Sequence, residues 1–143
     1  MRHRTTQARR NRGFTLVELL VVLAILGLLA GLVGPRVLGQ LGGAKSKSAV
    51  VQIHDLEQAA ELFKLDVGRF PTTQEGLAAL VSAPPAAAGW NGSYLRKGLP
   101  SDPWGHDYHY ESPGRNGDID IYTLGADNAP GGEGENADIG SWQ

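Results

Sequence analysis

Apolar residues are spread very unevenly along this chain of 143 residues. Residues 19–35 (LLVVLAILGLLAGLVGP) carry no charge, and the run extended back to Phe14 contains a single ionisable side chain, Glu18. A run of about 20 apolar residues can cross a hydrocarbon core of roughly 30 Å as a helix. The pattern therefore predicts a transmembrane helix over residues 14–34.

After this run the pattern changes to that of an amphipathic helix over residues 44–67, where apolar positions recur every three or four residues. The predicted apolar stripe consists of Val50, Ile53, Leu56, Ala60, Phe63 and Val67. Three glycines before it predict a weak point in the helix: Gly39, Gly42 and Gly43. Gly34 followed by Pro35 predicts a kink or local melting of the helix.

The remaining sequence predicts a small head built from short elements. Thr72 followed three residues later by Glu75 is typical of a capping box, which opens a short helix over residues 75–82. Residues 106–111 and 118–124 have the pattern of two strands, and turn-forming residues join them as a hairpin. At most three strands are visible, so the sheet must pack on the long helix. The predicted fold class is α+β, with a long N-terminal helical spine and a small globular head.

Charge is as uneven as hydrophobicity. Five arginines precede the apolar run, and all 15 acidic residues follow them, so the chain beyond residue 13 carries a net charge of about −7. A basic N-terminal arm can bind nucleic acid. Directly before an apolar run, however, it fits the positive-inside rule better. We therefore expect a cytoplasmic arm, an exported acidic portion and no nucleic-acid partner.

No enzyme site is visible in the sequence. The chain has no cysteine, which excludes disulfides, thiol catalysis and cysteine metal sites. His106 and His109 suggest zinc, but odd spacing in a strand points their side chains to opposite faces. Residues 100–105 (PSDPWG) predict a rigid turn, and Asp102 within it has no nucleophile elbow beside it that would suggest a triad. We predict that the protein is not an enzyme.

The residues before the apolar run carry a processing signal. The sequence RGFTLVE at positions 12–18 resembles the prepilin peptidase site of type IV pilins and pseudopilins. This resemblance implies cleavage after Gly13, N-methylation of the new terminal Phe14 and retention of the anchor. The alternative, an ordinary secretory signal peptide, needs small residues at defined positions after the apolar run, and the chain offers only a poor version of that pattern.

Glu18 is costly in a membrane helix unless it is paired. It lies one helical turn from Phe14, whose amine would be free and positively charged after cleavage. Pairing of these two groups between neighbouring chains would set the axial stagger of a filament. We therefore predict that Glu18 is an assembly residue, and the alternative is a glutamate that snorkels toward the lipid headgroups.

Three further segments extend the resemblance over nearly the whole chain: residues 70–80 (FPTTQEGLAAL), residues 99–105 (LPSDPWG) and residues 125–142, which contain GADN and ADIGSW. They resemble the major pseudopilins of type II secretion. The lack of cysteine favours this branch, because type IV pilins usually close their C-terminal loop with a disulfide. The implied function is a structural subunit that polymerises in the periplasm to help drive folded proteins through the outer membrane. The alternative is a type IV pilus-like subunit for adhesion or DNA uptake.

The resemblance also implies an organisation and a set of partners. Residues 1–13 form the leader, residues 14–34 the transmembrane and polymerisation helix, and residues 35–143 the periplasmic head with the second half of the spine. The chain begins as a single-pass inner-membrane protein and ends in a homopolymer. The implied partners are further copies of the chain, minor pseudopilins, the prepilin peptidase, and an inner-membrane assembly platform with its ATPase.

The tail after Leu124 is acidic and glycine-rich, and its four acids are Asp127, Glu133, Glu135 and Asp138. Calcium prefers carboxylate and carbonyl oxygens, but the EF-hand pattern does not fit. The residues alone leave a solvated acidic tail and a calcium loop both open.

The resemblance to the pseudopilins implies one structural calcium ion in this loop. It matches Leu124 to a carbonyl donor, Asp127 to the first acidic ligand and Asp138 to the last. Ala137 stands where the family often has another acid. Two residues of the longer loop can substitute for that ligand: Glu133 and Glu135.

Overall fold

The structure is a computed structural model that describes residues 13–143, except for the side chains of residues 35–38. The predicted basic arm therefore lies outside the described residues. The elements in chain order are α1 (Leu16–Val67), a 3-10 helix (Leu77–Leu80), β1 (His109–Glu111), β2 (Asp120–Thr123), a second 3-10 helix (Gly134–Asn136) and β3 (Ile139–Gly140). The predicted α+β class is confirmed. The chain divides into two compact units, one up to Leu38 and one from Gly39 to Gln143.

The first unit is the N-terminal part of α1, and all of its residues from Gly13 to Val33 are exposed. Leu16, Leu28 and Leu32 each expose more than two thirds of their surface. Within the described residues, α1 is long and apolar enough to cross a membrane. A surface of this kind needs lipid or other chains to cover it.

The helix continues without a break through the glycines that predicted a weak point. It includes Gly39, Gly42 and Gly43, so the predicted start of a separate helix at residue 44 is wrong. A glycine costs only about 1 kcal/mol relative to alanine, whereas each added residue of an existing helix gains a hydrogen bond. Gly34 and Pro35 are also helical in the single chain, and their melting in a filament stays a prediction.

The core of the second unit joins one face of α1 to the short elements that follow. Four of the six predicted stripe residues are buried, and Val67 packs at the edge of the core. The prediction that Val50 is buried is wrong, because Val50 is 53% exposed and its neighbour Ala49 is buried instead. Ala59 of α1 is buried as well. The remaining buried apolar residues come from the segments after α1: Leu77, Ala79, Leu80, Ala87, Tyr108, Ile121 and Ile139.

The sheet has β2 at its centre, paired antiparallel with β1 and β3. The predicted hairpin is confirmed, with His109 opposite Tyr122. Both strands are shorter than predicted. The Asp120 carboxylate accepts hydrogen bonds from the backbone nitrogens of Arg115 (2.8 Å) and Asn116 (3.2 Å) and so fixes the hairpin loop.

The predicted capping box is present, but the helix it should open is not. Thr72 N donates to Glu75 Oε2 (2.8 Å), and Glu75 N donates to Thr72 Oγ1 (3.2 Å). Gly76 follows with φ +60°, a left-handed conformation that stops helix propagation. Only the 3-10 turn Leu77–Leu80 forms, in place of the predicted helix over residues 75–82.

Candidate functional site

The first candidate site lies at the N-terminal end of α1. Glu18 Oε2 accepts hydrogen bonds from Thr15 N (2.9 Å) and Thr15 Oγ1 (3.1 Å), and Glu18 N donates to Thr15 Oγ1 (3.2 Å). These bonds form a capping box that satisfies free N–H groups at the helix start. Sequence reasoning assigned Glu18 a partner in another chain and missed this local one.

The predicted cleavage site directly precedes this cap. Gly13, Phe14 and Thr15 lie outside the helix, and Phe14 is 89% exposed. A peptidase can reach an exposed, non-helical peptide bond without unwinding α1. In the uncleaved chain the Phe14 nitrogen belongs to a peptide bond, so its pairing with Glu18 of a neighbour stays a prediction.

The second candidate site is the acidic loop between β2 and β3. Leu124, directly after β2, and Asp138, directly before β3, line the same cavity. Asp138 Oδ2 accepts a hydrogen bond from Gly131 N (2.9 Å). Its Oδ1 atom is buried, and none of the described residues donates to it. Buried carboxylate oxygens nearly always have a partner, so a cation-binding role fits this atom.

The other predicted ligands are less closely grouped. Asp127 Oδ1 accepts a hydrogen bond from Ala129 N (3.2 Å) and so closes a local turn. The Glu135 side chain lies against Gly42 of α1, where an added Cβ would collide with it. Glu133 lies in the exposed part of the loop. Within residues 13–143, no three acidic or histidine side chains are gathered in the manner of a metal site.

Asp102 is a buried polar residue whose role sequence reasoning missed. It is 4% exposed, and its Oδ1 accepts hydrogen bonds from Trp104 N (3.0 Å) and His106 N (2.8 Å). Its Oδ2 accepts a hydrogen bond from the hydroxyl of Thr123, at the end of β2. The Asp-Pro-Trp-Gly sequence indicated the turn, but nothing in it indicated the distant contact.

The two histidines that suggested zinc have different surroundings. His106 Nδ1 lies 3.6 Å from Asp102 Oδ2. His109 stacks on Tyr122 with ring centroids 4.9 Å apart, and Tyr122 in turn contacts Trp142 at 5.8 Å. The two rings therefore have different neighbours, the Asp102 carboxylate for His106 and the Tyr122 ring for His109.

Comparison with known proteins matches a family model to each part of the chain. The family model described as type II secretion system (T2SS), protein G matches residues 36–142. A model described as the prokaryotic N-terminal methylation motif matches residues 8–34. The second match covers the predicted processing site and anchor, and the first covers the remainder of the spine and the head.

Individual relatives match this chain over nearly its whole length. A type II secretion system core protein G from Vibrio cholerae is 50% identical over 137 residues, which cover 94% of this chain and 93% of the relative. Its counterpart from Pseudomonas aeruginosa is 45% identical, with coverage of 95% and 98%.

A solved structure supports the fold. The crystal structure of the major pseudopilin from the type 2 secretion system of enterohaemorrhagic Escherichia coli matches with a TM-score of 0.65 and 38% identity. The match covers 76% of this chain and 95% of that one. The predicted architecture of helical spine and small head is thereby confirmed.

Proposed function

Because this chain belongs to the type II secretion system protein G family and is a subunit of the secretion pseudopilus, we propose that it is cleaved after Gly13 and then polymerises through residues 14–34. One observation carries the proposal. An apolar helical segment exposed at every residue from 16 to 33 precedes a unit that has its own buried core. Such a segment needs lipid before assembly and other copies of itself afterwards.

The anchor and the methylation motif fit membrane attachment. In the proposal the precursor is a single-pass inner-membrane protein with its basic arm in the cytoplasm and its head in the periplasm. The charge asymmetry supports this orientation, since arginines before an apolar run stay cytoplasmic. The acidic charge of the remainder argues against a role in binding nucleic acid.

The family consists of structural subunits, and we propose that this chain catalyses no reaction. Its homopolymer forms the periplasmic fibre that helps drive folded proteins through the outer membrane. The prepilin peptidase processes each copy, and minor pseudopilins join the same fibre. Lipid is as apolar as the fibre core, so the transfer of anchors out of the bilayer needs an energy source. The proposed source is an ATPase that acts through the inner-membrane platform.

The role of Glu18 in assembly is testable with two substitutions. Glu18→Ala removes both the charge and the cap, whereas Glu18→Gln keeps a capping side chain, because glutamine also serves in capping boxes, and removes only the charge. We expect both variants to be cleaved after Gly13 and both to fail to form fibres. Mass spectrometry of the mature amino terminus and electron microscopy of fibres provide the two readouts.

The wild-type control should begin at N-methylated Phe14 and retain 130 of the 143 residues. Normal fibres from Glu18→Gln would refute charge pairing and leave helix capping as the role of Glu18. A mature chain that begins beyond the apolar run would refute the whole proposal.

We also propose that the acidic loop binds one calcium ion. The proposed ligands are the Leu124 carbonyl and the carboxylates of Asp127 and Asp138, with Glu133 or Glu135 completing the set. The buried, unpartnered Oδ1 of Asp138 supports a cation there, and the donor types are those that calcium prefers. Bound calcium would neutralise the loop acids and order the loop, so the role is structural.

The calcium proposal predicts a dissociation constant of about 10⁻⁴ to 10⁻³ M, the usual range of extracytoplasmic calcium modules. Calcium should raise the Tm of the full-length chain, and chelator should make the loop sensitive to protease. Asp127→Ala should weaken both effects, whereas the control Asp55→Asn, at an exposed position of α1, should not. An unchanged Tm on chelation would contradict the proposal.

A further inference from the structure

We propose that Asp102 is a positioning residue for the calcium loop. Through Thr123, it fixes the backbone on both sides of Leu124 and thereby aims the carbonyl that the loop offers to the ion. The inference rests on the calcium site proposed above, and it assigns a role to a residue far from that loop in sequence.

The contact passes through one hydroxyl group. Thr123 Oγ1 donates its single proton to Asp102 Oδ2 and accepts a hydrogen bond from Gly125 N at 3.2 Å. A hydroxyl has one donor and two acceptor sites, so the bond to Asp102 leaves a lone pair for Gly125. The residues before and after Leu124 are therefore held by the same atom.

The hydroxyl is well placed to keep one orientation, because both side chains of its hydrogen bond to Asp102 are buried. Thr123 has no exposed surface, and the Asp102 side chain has none either. Asp102 Oδ1 is itself held by Trp104 N and His106 N. Hydrogen bonds to an ionised carboxylate are shorter and stronger than neutral ones, so the turn, Asp102 and Thr123 form a rigid support.

The C-terminal part of the loop contacts the backbone that directly follows Leu124. Ala126 N donates to Glu135 O at 2.8 Å. A Cβ added to Gly125 would lie 2.7 Å from the same Glu135 oxygen, so only glycine allows this approach. Leu124 and Asp138 also line one cavity. The support therefore acts where the two ends of the loop meet, next to the cavity that Leu124 and Asp138 line.

The support can be removed from either side of the hydrogen bond. Asp102→Asn keeps one acceptor oxygen for the backbone nitrogens of Trp104 and His106 and places an amide NH2 group, which cannot accept the hydroxyl proton, toward Thr123. Thr123→Val removes the hydroxyl and keeps the shape. Thr123→Ser restores the hydroxyl and serves as the rescue. The matched control is Glu75→Gln, which likewise converts a carboxylate that accepts several hydrogen bonds but belongs to a different turn.

The experiment follows the calcium-dependent rise in Tm of the full-length chain in detergent micelles, and circular dichroism without calcium checks the fold. We expect Asp102→Asn and Thr123→Val to shift the calcium midpoint upward about 10- to 100-fold, as loss of a group that orients a metal ligand does. The double variant should be no weaker than the weaker single one, because both act through one contact. Thr123→Ser and Glu75→Gln should keep the wild-type midpoint.

Each outcome decides the inference. Wild-type midpoints in both Asp102→Asn and Thr123→Val would overturn it and leave the calcium site standing. An equal shift in Glu75→Gln would also overturn it, since general destabilisation would then explain the effect. If Asp102→Asn does not fold, the calcium midpoint of Thr123→Val alone decides whether the inference stands. A wild-type chain that shows no calcium response would overturn the calcium site and this inference together.

Discussion

Outside the acidic loop, three carboxylates of the head accept hydrogen bonds from backbone N–H groups in turns. Asp102 holds the turn before β1, Asp120 holds the hairpin loop, and Glu75 holds the turn after α1. An ionised acceptor gives stronger bonds than a neutral one. Turns of this molecule are therefore sensitive to the charge state of single side chains.

Glu75 gives this sensitivity a testable pH dependence. Two hydrogen bonds from the Arg69 guanidinium (2.7 and 2.8 Å), with a further one from Thr72 N, lower the pKa of Glu75 from 4.5 to about 2. A group whose pKa is lower in the folded than in the unfolded chain stabilises the fold above the unfolded pKa. That contribution is lost as the pH falls from about 4.5 to about 2.

We therefore expect Glu75→Gln to be less stable than the wild type at neutral pH by about 1 kcal/mol, the usual range for a partly exposed ion pair. The difference in Tm between the two proteins should shrink as the pH falls through this window and vanish at about pH 2. Thermal unfolding at a series of pH values measures it. A constant difference at all pH values would mean that charge is not the cause.

The sequence predicted residues whose partners are close along the chain. The Thr72–Glu75 capping box is such a case, because both halves lie within four residues. The hydrogen bond of Asp102 was not predicted, because its partner Thr123 lies in another element. The prediction that Val50 is buried was wrong for a related reason. Helical spacing selects a face of the helix, but the packing of the head decides whether Ala49 or Val50 is buried.

At the scale of elements, α1 tolerates glycines that differ in surroundings. Gly43 has nothing within 4 Å of an added Cβ, whereas a Cβ on Gly42 would collide with the Glu135 side chain. Both positions are helical. Substitutions at Gly43 and Gly42 can therefore distinguish the effect of helix propensity from the effect of the Glu135 contact with α1.

We expect Gly43→Ala to stabilise the protein by about 1 kcal/mol through helix propensity, which raises Tm by about 4 °C or more for a domain of this size. Gly42→Ala should give no such gain, because Glu135 must move. Thermal unfolding of both variants provides the test. Equal gains would show that Glu135 leaves its position on α1 without cost.

Element type was easier to predict than element length. The hairpin was recognisable from its turn residues, but strand ends depend on pairing partners, and β3 has only two residues to identify it. The helix expected after the capping box did not form, because the next residue, Gly76, has a left-handed conformation that stops helix propagation.

On the scale of the whole molecule, the two units differ in where their stability comes from. Among the residues whose side chains the structure describes, every buried apolar residue lies between Ala49 and Ile139, within the second unit. The first unit contributes none among its described residues. Folding of the head should therefore not require the anchor.

A chain that begins at Gly39 tests this independence. We expect it to unfold cooperatively with the same Tm as the full-length chain in detergent, and to form no fibres. Circular dichroism and electron microscopy are the measurements. A Tm lower by many degrees would contradict the independence of the head.

The anchor, the processing motif and the family were accessible from the sequence, because each is carried by consecutive residues. The arrangement of the acidic loop was not. Its geometry depends on residues far apart in sequence: Glu135 lies against Gly42, and Leu124 and Asp138 line one cavity. Composition identifies the acidic residues of the loop, but it does not say which of them lie near each other in the folded chain.

The cap at the start of α1 has a consequence for how reversibly subunits add. In a single copy both hydrogen bonds from Thr15 go to Glu18 Oε2, and neither goes to Oε1. In the proposed pairing, an incoming amine therefore meets a carboxylate that already has donors, so the pairing adds less free energy than it would at a carboxylate without them. A smaller gain at each addition would let a wrongly placed copy detach again before the next one covers it.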